Sequence, residues 1–297
     1  MTRALVIGRV RKGRPIKATI QQVKRGLEAA DWKVETALVI NKGDLRERAA
    51  KAAKAHAEVV VTVGGDGSVL QVVQGLAETK VALGIIPLGT GNLLAGNLGI
   101  PKDVEAAIEV ILAGHPRRID LGRLKVGDKQ RVFSVACGIG FDAQMMAATE
   151  KSQKLRWGKL AYAAGALRSR GHLRNVTHRI TIDGQTSTLE AAQIFIANFG
   201  PSRSIKPRLR IKPDDGLLDV VVVRASGPIP ALLAGFEALR QRKLGCSKTG
   251  NVFWTRAREI RIETPGRLVE VDGSVIGSTP ITVSIWAEAL SVLVPGR

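Results

Sequence analysis

The first third of the chain alternates between short apolar runs and stretches with helical spacing. Residues 4–8, 58–63 and 81–86 are apolar runs of strand length, which predict strands buried on both faces. After the first run, apolar residues recur at intervals of three and four, which predicts a helix with one buried face. These residues are Ile16, Ile20, Val23 and Leu27. Alternating strands and helices are typical of a parallel sheet covered by helices on both faces.

The pattern changes after about residue 120, where short β-like runs follow one another. The runs are residues 132–136, 180–182, 193–197, 219–223, 259–262, 268–271 and 281–285. Asp-Gly pairs at 183–184 and 272–273 predict turns between them. Helical spacing interrupts the runs at residues 143–170 and 230–244. The second part therefore predicts a β-sandwich or a barrel-like domain.

The charge of the chain favours an anionic partner. Lys and Arg number 45 against 26 Asp and Glu, which gives a net charge of +19. Nucleic acid, an acidic membrane surface and phosphorylated ligands all fit such an excess. A compositional bias toward arginine and alanine explains the charge equally well. Aromatic residues make up only 4% of the chain, too few for the stacking platforms of a single-strand binder, so we do not expect a nucleic-acid partner.

The cysteine count and the apolar runs bear on where the protein works. Cys137 and Cys246 do not form a paired metal-ligand spacing, which fits a reducing, cytoplasmic location. The opening residues contain too short an apolar stretch for a signal peptide. No run approaches the roughly 18 apolar residues of a spanning helix. We therefore expect a cytoplasmic protein that is at most peripherally associated with a membrane.

The strongest local motif is Gly64-Gly65-Asp66-Gly67-Ser68, which follows a buried strand and predicts the start of a helix at Ser68. Backbone N–H groups at such a turn point outward, and the N-terminus of a helix is partly positive, so a phosphate binds well there. A carboxylate beside a phosphate needs a cation or a proton between them. Asp66 should therefore position Mg²⁺ or accept a proton from an attacking hydroxyl. The alternative is a tight turn with an incidental aspartate.

A second glycine-rich turn, Gly89-Thr90-Gly91-Asn92, also follows a strand and precedes a helix. In a parallel sheet both turns lie at the carboxyl ends of strands, where ligands bind. Thr90 and Asn92 can hydrogen-bond a nucleotide or its phosphates, although Asn92 alone could simply cap the next helix. A third feature, the basic loop of residues 8–14, could offer cations to phosphates or lie in solvent.

The two motifs together, GGDGS and PLGTGN, resemble those of the diacylglycerol kinase catalytic family, which includes sphingosine kinases and bacterial lipid kinases. The resemblance extends over nearly the whole chain. Its further segments are GIGFDA at residues 138–143, GKLAY at 158–162, PDDGLLD at 213–219 and VDG at 271–273.

The resemblance implies a Rossmann-like α/β nucleotide-binding domain at residues 1–122 and a β-sandwich lipid-substrate domain at residues 123–285. It also implies that the C-terminal strand, residues 286–297, returns to the first domain, and that ATP binds in the cleft between the domains. Mg²⁺ and a lipid substrate complete the set of expected ligands.

The resemblance also implies roles for individual residues. The nucleotide site would comprise Gly64, Gly65, Asp66, Gly67, Ser68, Gly89, Thr90, Gly91, Asn92 and Arg156. Asp142 would face the lipid head group or the site entrance. Asp215 and Asp219 could hold a second, structural cation, because hard cations prefer carboxylate oxygens; turn chemistry explains these two aspartates equally well.

Three departures from the family pattern stand out. Gly8-Arg9 replaces an Asn-Pro pair after the first strand, so a nucleotide contact is lost or supplied by arginine. Ser274 replaces the glutamate of a DGE triplet, and a serine hydroxyl is not a base near neutral pH, which leaves Asp66 or Asp272 as the catalytic carboxylate. Residues 198–210 are unusually basic, which could change the substrate or mark weak activity.

Three functional hypotheses follow. The first is an ATP-dependent lipid kinase with direct in-line transfer of the γ-phosphoryl group to a lipid hydroxyl such as that of diacylglycerol. The second is a soluble kinase acting on NAD or a sugar phosphate. The third is a degenerate relative that binds lipid or an anionic membrane. Residues 228–244 predict a basic amphipathic helix, which could lie in a membrane interface or pack on the β domain. A homodimer is also compatible with the sequence.

Overall fold

The protein is described from a computed structural model, in residues 1–140, 175–200, 211–225, 244–247, 249–272 and 274–296. The chain forms two compact units. The first contains Met1–Leu121 and the described residues from Ala287 onward. The second contains the described residues between Gly122 and Trp286. The helices predicted at residues 143–170 and 230–244 lie outside the described residues, apart from Leu244.

The helices of the first unit are α1 (Ile16–Glu28), α2 (Lys42–Lys54), α3 (Asp66–Leu76), α4 (Leu93–Leu98) and α5 (Val104–Ala113). Its strands are β1 (Arg3–Arg9), β2 (Lys33–Val39), β3 (Val59–Gly64) and β4 (Ala82–Pro87). The following strands are β5 (Pro116–Val126), β6 (Lys129–Phe133), β7 (Ala136–Ile139), β8 (Val176–Ile182), β9 (Gln185–Ala191), β10 (Gln193–Ala197), β11 (Leu218–Val223), β12 (Gly245–Cys246), β13 (Val252–Ala257), β14 (Glu259–Ile262), β15 (Leu268–Val271), β16 (Ser274–Ser278) and β17 (Ile281–Leu293).

The first unit is built on a parallel sheet with strand order β2-β1-β3-β4. Strand β17 begins in the second unit and ends in the first, where Ser291 and Val292 pair in parallel with Ala82 and Leu83 of β4. All six residues of β3 are buried, as expected for a strand covered on both faces. The carboxyl ends of β1, β3 and β4 therefore meet at one edge of the sheet.

Helix α1 confirms the apolar stripe that the sequence predicts. Ile16, Ile20, Val23 and Leu27 are buried, and they are the residues that recur at intervals of three and four. Helix α3 differs from the prediction because it begins at Asp66 rather than at Ser68. Gly65 is extended and lies at the N-cap, and its carbonyl accepts the N–H of Ser68 at 2.8 Å. Asp66 therefore lies in the first helical turn.

The second unit is a β-sandwich, as predicted. One sheet is antiparallel throughout, with strand order β12-β13-β11-β10-β7-β15-β16. The other contains β9, β8, β14 and the first part of β17 as antiparallel neighbours. The core lies between the two sheets, and residues from both sheets share it. Its members include Cys137, Ile139, Ile180, Ile194, Ile196, Val220, Ile260, Ile262, Val269 and Val283.

Gly75 sets the distance between helices α2 and α3. A β-carbon at this position would lie 2.5 Å from the carbonyl oxygen of Arg46 and 3.0 Å from the β-carbon of Ala49. We predict that Gly75→Ala lowers the free energy of unfolding by about 1–3 kcal/mol, because backbone atoms cannot move aside cheaply. Gly43→Ala, in open space on α2, is the matched control and should be neutral or slightly stabilising. Urea denaturation of both variants checks this, and equal stabilities would contradict it.

Candidate active site

The two glycine-rich turns of the first unit are in direct backbone contact. A β-carbon on Gly65 would lie 2.8 Å from the α-carbon of Gly89, and one on Gly89 would lie 2.5 Å from the α-carbon of Gly65. Only glycine fits at either position, because real β-carbons do not approach backbone atoms so closely. The N–H of Leu88 also donates to the carbonyl of Gly64 at 2.8 Å. The two motifs, more than 20 residues apart in the sequence, therefore form one continuous surface.

The carboxylate of Asp66 joins the two turns. Its Oδ2 accepts the N–H of Asn92 at 2.8 Å, and its Oδ1 accepts the N–H of Leu93 at 2.5 Å. These N–H groups lie at the start of α4, where they have no partner within the helix. A β-carbon on Gly91 would lie 2.7 Å from Oδ2, so this glycine also gives the carboxylate room. Asp66 thus holds the second turn in place. Its roles toward Mg²⁺ or a proton stay predictions.

Asn92 shapes the second turn from within. Its backbone is left-handed, with φ at 49°, and its side chain is buried. The side-chain Oδ1 accepts the N–H of Gly89 at 2.8 Å, and Nδ2 donates to the carbonyl of Gly89 at 2.9 Å. Both polar atoms of the Asn92 side chain therefore bond to the backbone of the turn itself. Gly67, Thr90 and Gly91 are exposed, so they form the surface that a ligand can reach.

Two cationic side chains lie at the rim of this surface. The Nη2 of Arg14 donates to the Oγ1 of Thr90 at 3.4 Å, which attaches the basic loop after β1 to the second turn. Lys42, the first residue of α2, lies beside the first turn. A β-carbon on Gly67 would lie 3.7 Å from the Nζ of Lys42. The sequence analysis did not identify Lys42. The available signal was its position after β2, because the carboxyl ends of parallel strands share one edge.

Close packing explains why glycine stands at position 8, the first of the two residues that depart from the family's Asn-Pro pair. A β-carbon on Gly8 would lie 2.7 Å from Cγ2 of Ile16 and 3.1 Å from the carbonyl oxygen of Val63, so glycine lets β1 approach α1 and β3 closely. Arg9 is half-buried. The arginine that contacts the second turn is Arg14 rather than Arg9.

Asp272, in the second unit, has a fully occupied carboxylate. Its Oδ2 accepts the N–H and the hydroxyl of Ser134 at 2.9 and 3.1 Å, and its Oδ1 accepts the N–H groups of Val135 and Ala136 at 3.0 and 2.9 Å. Burial raises the pKa of this carboxyl above its ordinary value, and the four donors act in the opposite direction. These contacts hold residues 134–136 against the turn that ends β15. The catalytic role of Asp272 stays a prediction.

Comparison with known proteins places this chain among relatives. The diacylglycerol kinase catalytic domain matches residues 3–124, and the YegS C-terminal NAD kinase beta sandwich-like domain matches residues 135–294. A diacylglycerol kinase of Mycobacterium tuberculosis strain H37Rv is 32% identical over 260 residues, covering 85% of this chain and 82% of that protein. The chain belongs to the diacylglycerol kinase family. A diacylglycerol kinase of Bacillus subtilis is 27% identical over 289 residues, covering 94% of this chain and 92% of that protein.

A solved structure agrees with the fold. The crystal structure of a diacylglycerol kinase from Bacillus anthracis strain Sterne superposes with a TM-score of 0.74 at 22% identity, covering 99% of this chain and 97% of that chain. At this identity the likeness concerns the fold alone. It supports the α/β unit followed by a β-sandwich.

Among the described helices, none is both long and apolar enough to span a membrane.

Asp215 and Asp219, the two aspartates of the predicted cation site, both lie beside Arg256. The guanidinium of Arg256 interacts with both carboxylates, with Nη1 3.5 Å from Oδ2 of Asp215 and Nε 3.2 Å from Oδ1 of Asp219. The indole N–H of Trp254 also donates to Oδ1 of Asp219 at 2.6 Å. The guanidinium thus supplies positive charge at both aspartates, and the cation site stays a prediction. Within the described residues, no group of three or more His, Cys, Asp or Glu side chains could hold a metal ion.

Several predicted site residues lie outside the described part of the chain. They are Asp142 and Arg156, together with most of the GFDA-like segment and all of the GKLAY-like segment. The basic residues 201–210 and the amphipathic residues 228–243 also lie outside it.

The contact between the turns generates a prediction for Gly89→Ala. The new methyl group would push the first turn away, which lengthens the bonds from Asp66 to the N–H groups of Asn92 and Leu93. We expect a loss of about 1–3 kcal/mol in stability and faster hydrogen exchange at these two amides. Exchange measured by mass spectrometry checks this, with Gly43→Ala as the control. Unchanged protection at residues 92–93 would show that the contact does not set the turn geometry.

We predict that Arg256 is essential for the stability of the second unit, because the carboxylate of Asp219, with which it pairs, is fully buried. Its removal leaves a buried carboxylate without a cation, so Arg256→Ala should lower the free energy of unfolding by about 3 kcal/mol. Asp219→Asn in the same chain should recover part of the loss. Burial raises the pKa of Asp219 above its ordinary value, so the folded protein holds this proton more tightly than the unfolded chain. Lowering the pH should therefore shrink the loss in Arg256→Ala, and a loss that grows would contradict the assignment.

Proposed function

We propose that this chain is an ATP-dependent lipid kinase that transfers the γ-phosphoryl group of ATP to a lipid hydroxyl, such as that of diacylglycerol. The observation that carries the proposal is the pair of touching glycine turns held together by Asp66, with Arg14 and Lys42 at their rim. Membership of the diacylglycerol kinase family supports the reaction class. The lipid acceptor and the use of ATP are the proposed steps beyond that class.

The residues present fit a polyphosphate. Gly65 and Gly89 let the two turns pack against each other, and Gly67, Thr90 and Gly91 beside them are exposed to a ligand. Helix α3 begins at Asp66 and directs its first N–H groups toward the same turn. Arg14 and Lys42 provide positive charge from two other elements, and in the described part of the chain neither forms an ion pair. Glycine backbone, a helix N-terminus and two cations together are what phosphate groups require.

The same residues fit Mg²⁺ through Asp66. Each of its oxygens accepts one N–H bond and so keeps a lone pair for a further contact. Mg²⁺, when bound, would neutralise charge on the phosphates. Asp66 would hold that ion directly or through water, while its N–H bonds keep the carboxylate in a fixed orientation.

The chemical step follows from this arrangement. The lipid hydroxyl oxygen attacks the γ-phosphorus, the bond to the oxygen bridging the β- and γ-phosphorus breaks, and ADP leaves with that oxygen. Arg14 and Lys42 stabilise the negative charge on the phosphoryl oxygens. A carboxylate takes the hydroxyl proton. Asp66 is the better candidate for this than Asp272, because both oxygens of Asp272 already accept two bonds each; in this role Asp66 would hold Mg²⁺ through water rather than directly.

A transfer assay with radiolabelled ATP tests the proposal. Diacylglycerol in mixed micelles should become labelled, and NAD should not. Asp66→Ala should lower kcat/KM at least about a hundredfold, whereas Lys42→Ala and Arg14→Ala should each raise the KM for Mg-ATP about tenfold. Asp128→Ala, an exposed aspartate in the β5–β6 turn, is the control and should behave as the unaltered protein.

The outcomes separate the three hypotheses. Label in NAD alone would identify a soluble kinase. Absence of Mg-ATP binding by calorimetry, with a folded protein by circular dichroism, would identify a binding protein without kinase activity. Equal activity of Asp66→Ala and Asp128→Ala would refute the assigned site while leaving the reaction open to another site.

A further inference from the structure

One histidine is enclosed in the core of the second unit. His178 of β8 is 1% exposed and lies on the same face of its strand as Ile180, which belongs to the core between the two sheets. Within the described residues, neither of its ring nitrogens has a hydrogen-bond partner. The fold tolerates such an imidazole while it is neutral, because an unpaired buried charge is far more unfavourable than an unpaired polar atom.

Arg267 brings a positive charge to the same end of the sandwich. It directly precedes β15 and lies two residues before Val269, which faces the shared core. Its Nη2 donates to the carbonyl of Gly140 at 3.4 Å, while its Nε is buried and has no partner in the described part of the chain. Burial first, and the charge of Arg267 second, lower the pKa of His178 below its ordinary value. The backbone of Ala191, near the ring but outside hydrogen-bond geometry, acts in the opposite direction.

The charge of the arginine is held in place because its segment is bonded at both ends. Residues 263–267, which we name the crossing, lead from β14 in one sheet to β15 in the other. At its start, the N–H of Glu263 donates to the carbonyl of Arg179 on β8 at 3.0 Å. At its end, the N–H of Arg267 donates to Oγ1 of Thr279 at 2.9 Å, and its carbonyl accepts the N–H of Thr279 at 2.8 Å.

No carboxylate of the described chain is placed to pair with a protonated ring. The residue opposite His178 on β9 is Leu189, which packs against the core. Glu190 and Glu263, which are close along the strands, are both exposed, and Glu263 pairs with an exposed arginine. Among the described residues, Arg267 is the charged group that shifts the pKa of the ring. An imidazolium here would therefore face a guanidinium within an apolar core.

We propose that His178 and Arg267 form an acid-sensitive switch in the second unit. A proton on the ring creates a buried charge that the guanidinium repels, and both effects favour release of the crossing from β8. The bond from Arg267 to Gly140 is lost with it, so the end of β7 loosens. Gly140 opens the Gly-Phe-Asp segment to which the sequence analysis assigned substrate contact. The effect on activity rests on the proposed function, whereas the opening rests on the buried pair alone.

Urea denaturation of the full chain between about pH 7.5 and 5.0 tests the switch. The pKa of the folded ring is lower than the ordinary 6.5 of an unfolded chain, so the unfolded chain takes up the proton first as the pH falls. Stability is therefore complete above about pH 6.5 and lost below it, and the unfolding equilibrium constant should rise up to about tenfold per pH unit. His178→Leu, which cannot be protonated, should abolish this component.

His115→Gln is the matched control, because it removes an exposed histidine of the first unit. It should keep the pH dependence of the unaltered chain. Equal pH dependence in the unaltered chain and in His178→Leu would overturn the proposal.

Hydrogen exchange of the unaltered chain provides a test that does not depend on the folding of a variant. On acidification, after correction for the intrinsic exchange rate, protection should fall in β8 and in residues 263–270 and stay unchanged in β3 of the first unit. Arg267→Met, which keeps an apolar stem and removes the charge, should weaken this effect. Equal losses of protection in β3 and β8 would contradict the switch, and so would an undiminished acid effect in Arg267→Met.

Activity assays separate the switch from the proposed function. Phosphorylation of diacylglycerol should fall on acidification and return on neutralisation, and His178→Leu should keep its activity at neutral pH and lose less of it in acid. Equal acid losses in the two proteins would overturn the link to activity. A chain that opens in acid but phosphorylates no lipid at any pH would refute the proposed function and leave the switch intact.

Discussion

The site of this protein depends on one close contact, the meeting of the backbones of Gly65 and Gly89. Neither turn could approach the other if it carried a side chain at these positions. The approach brings the Asp66 carboxylate within reach of the amides of Asn92 and Leu93, so that it caps a neighbouring helix rather than its own. The carboxylate and the glycine backbone are thereby fixed relative to each other, and the cations of Arg14 and Lys42 lie at their rim. Preorganisation of this kind reduces the ordering that a bound polyphosphate would otherwise require.

Much of this arrangement could be predicted because its signals are local. The β-branched run of β3 predicts a buried strand, and the glycines after it have little use in a strand or a helix. A parallel sheet then places the carboxyl ends of its strands together, so two glycine-rich turns that each follow a strand should meet. Alternating apolar runs gave the sandwich of the second unit for the same reason, because each strand must bury one face.

The rest depended on contacts between residues far apart in the sequence, which no local pattern contains. Lys42 reaches Gly67 across the edge of the sheet, and no motif distinguishes this lysine from the others. The pair Asp215 and Asp219 is typical of a cation site, but no local pattern shows that Arg256, about 40 residues further along the chain, lies beside both carboxylates. Asp66 carried an expected chemical role and proved also to bind the backbone of the next turn. In each case tertiary packing decided which partner the side chain meets.

The path of the chain through β5 and β17 has a consequence for how the molecule can be divided. The chain leaves the first unit within Pro116–Val126 and returns within Ile281–Leu293, and there the N–H of Glu288 donates to Oδ1 of Asp120 at 2.8 Å. The β-sandwich is thus inserted within the sequence of the α/β unit and does not simply follow it. Truncation of the chain before β17 would remove the last strand of the α/β sheet and leave β4 as an exposed edge open to aggregation. Excision of the sandwich with a short bridge from Leu121 to Ala287 would instead keep the end of β17 in the same chain as β4.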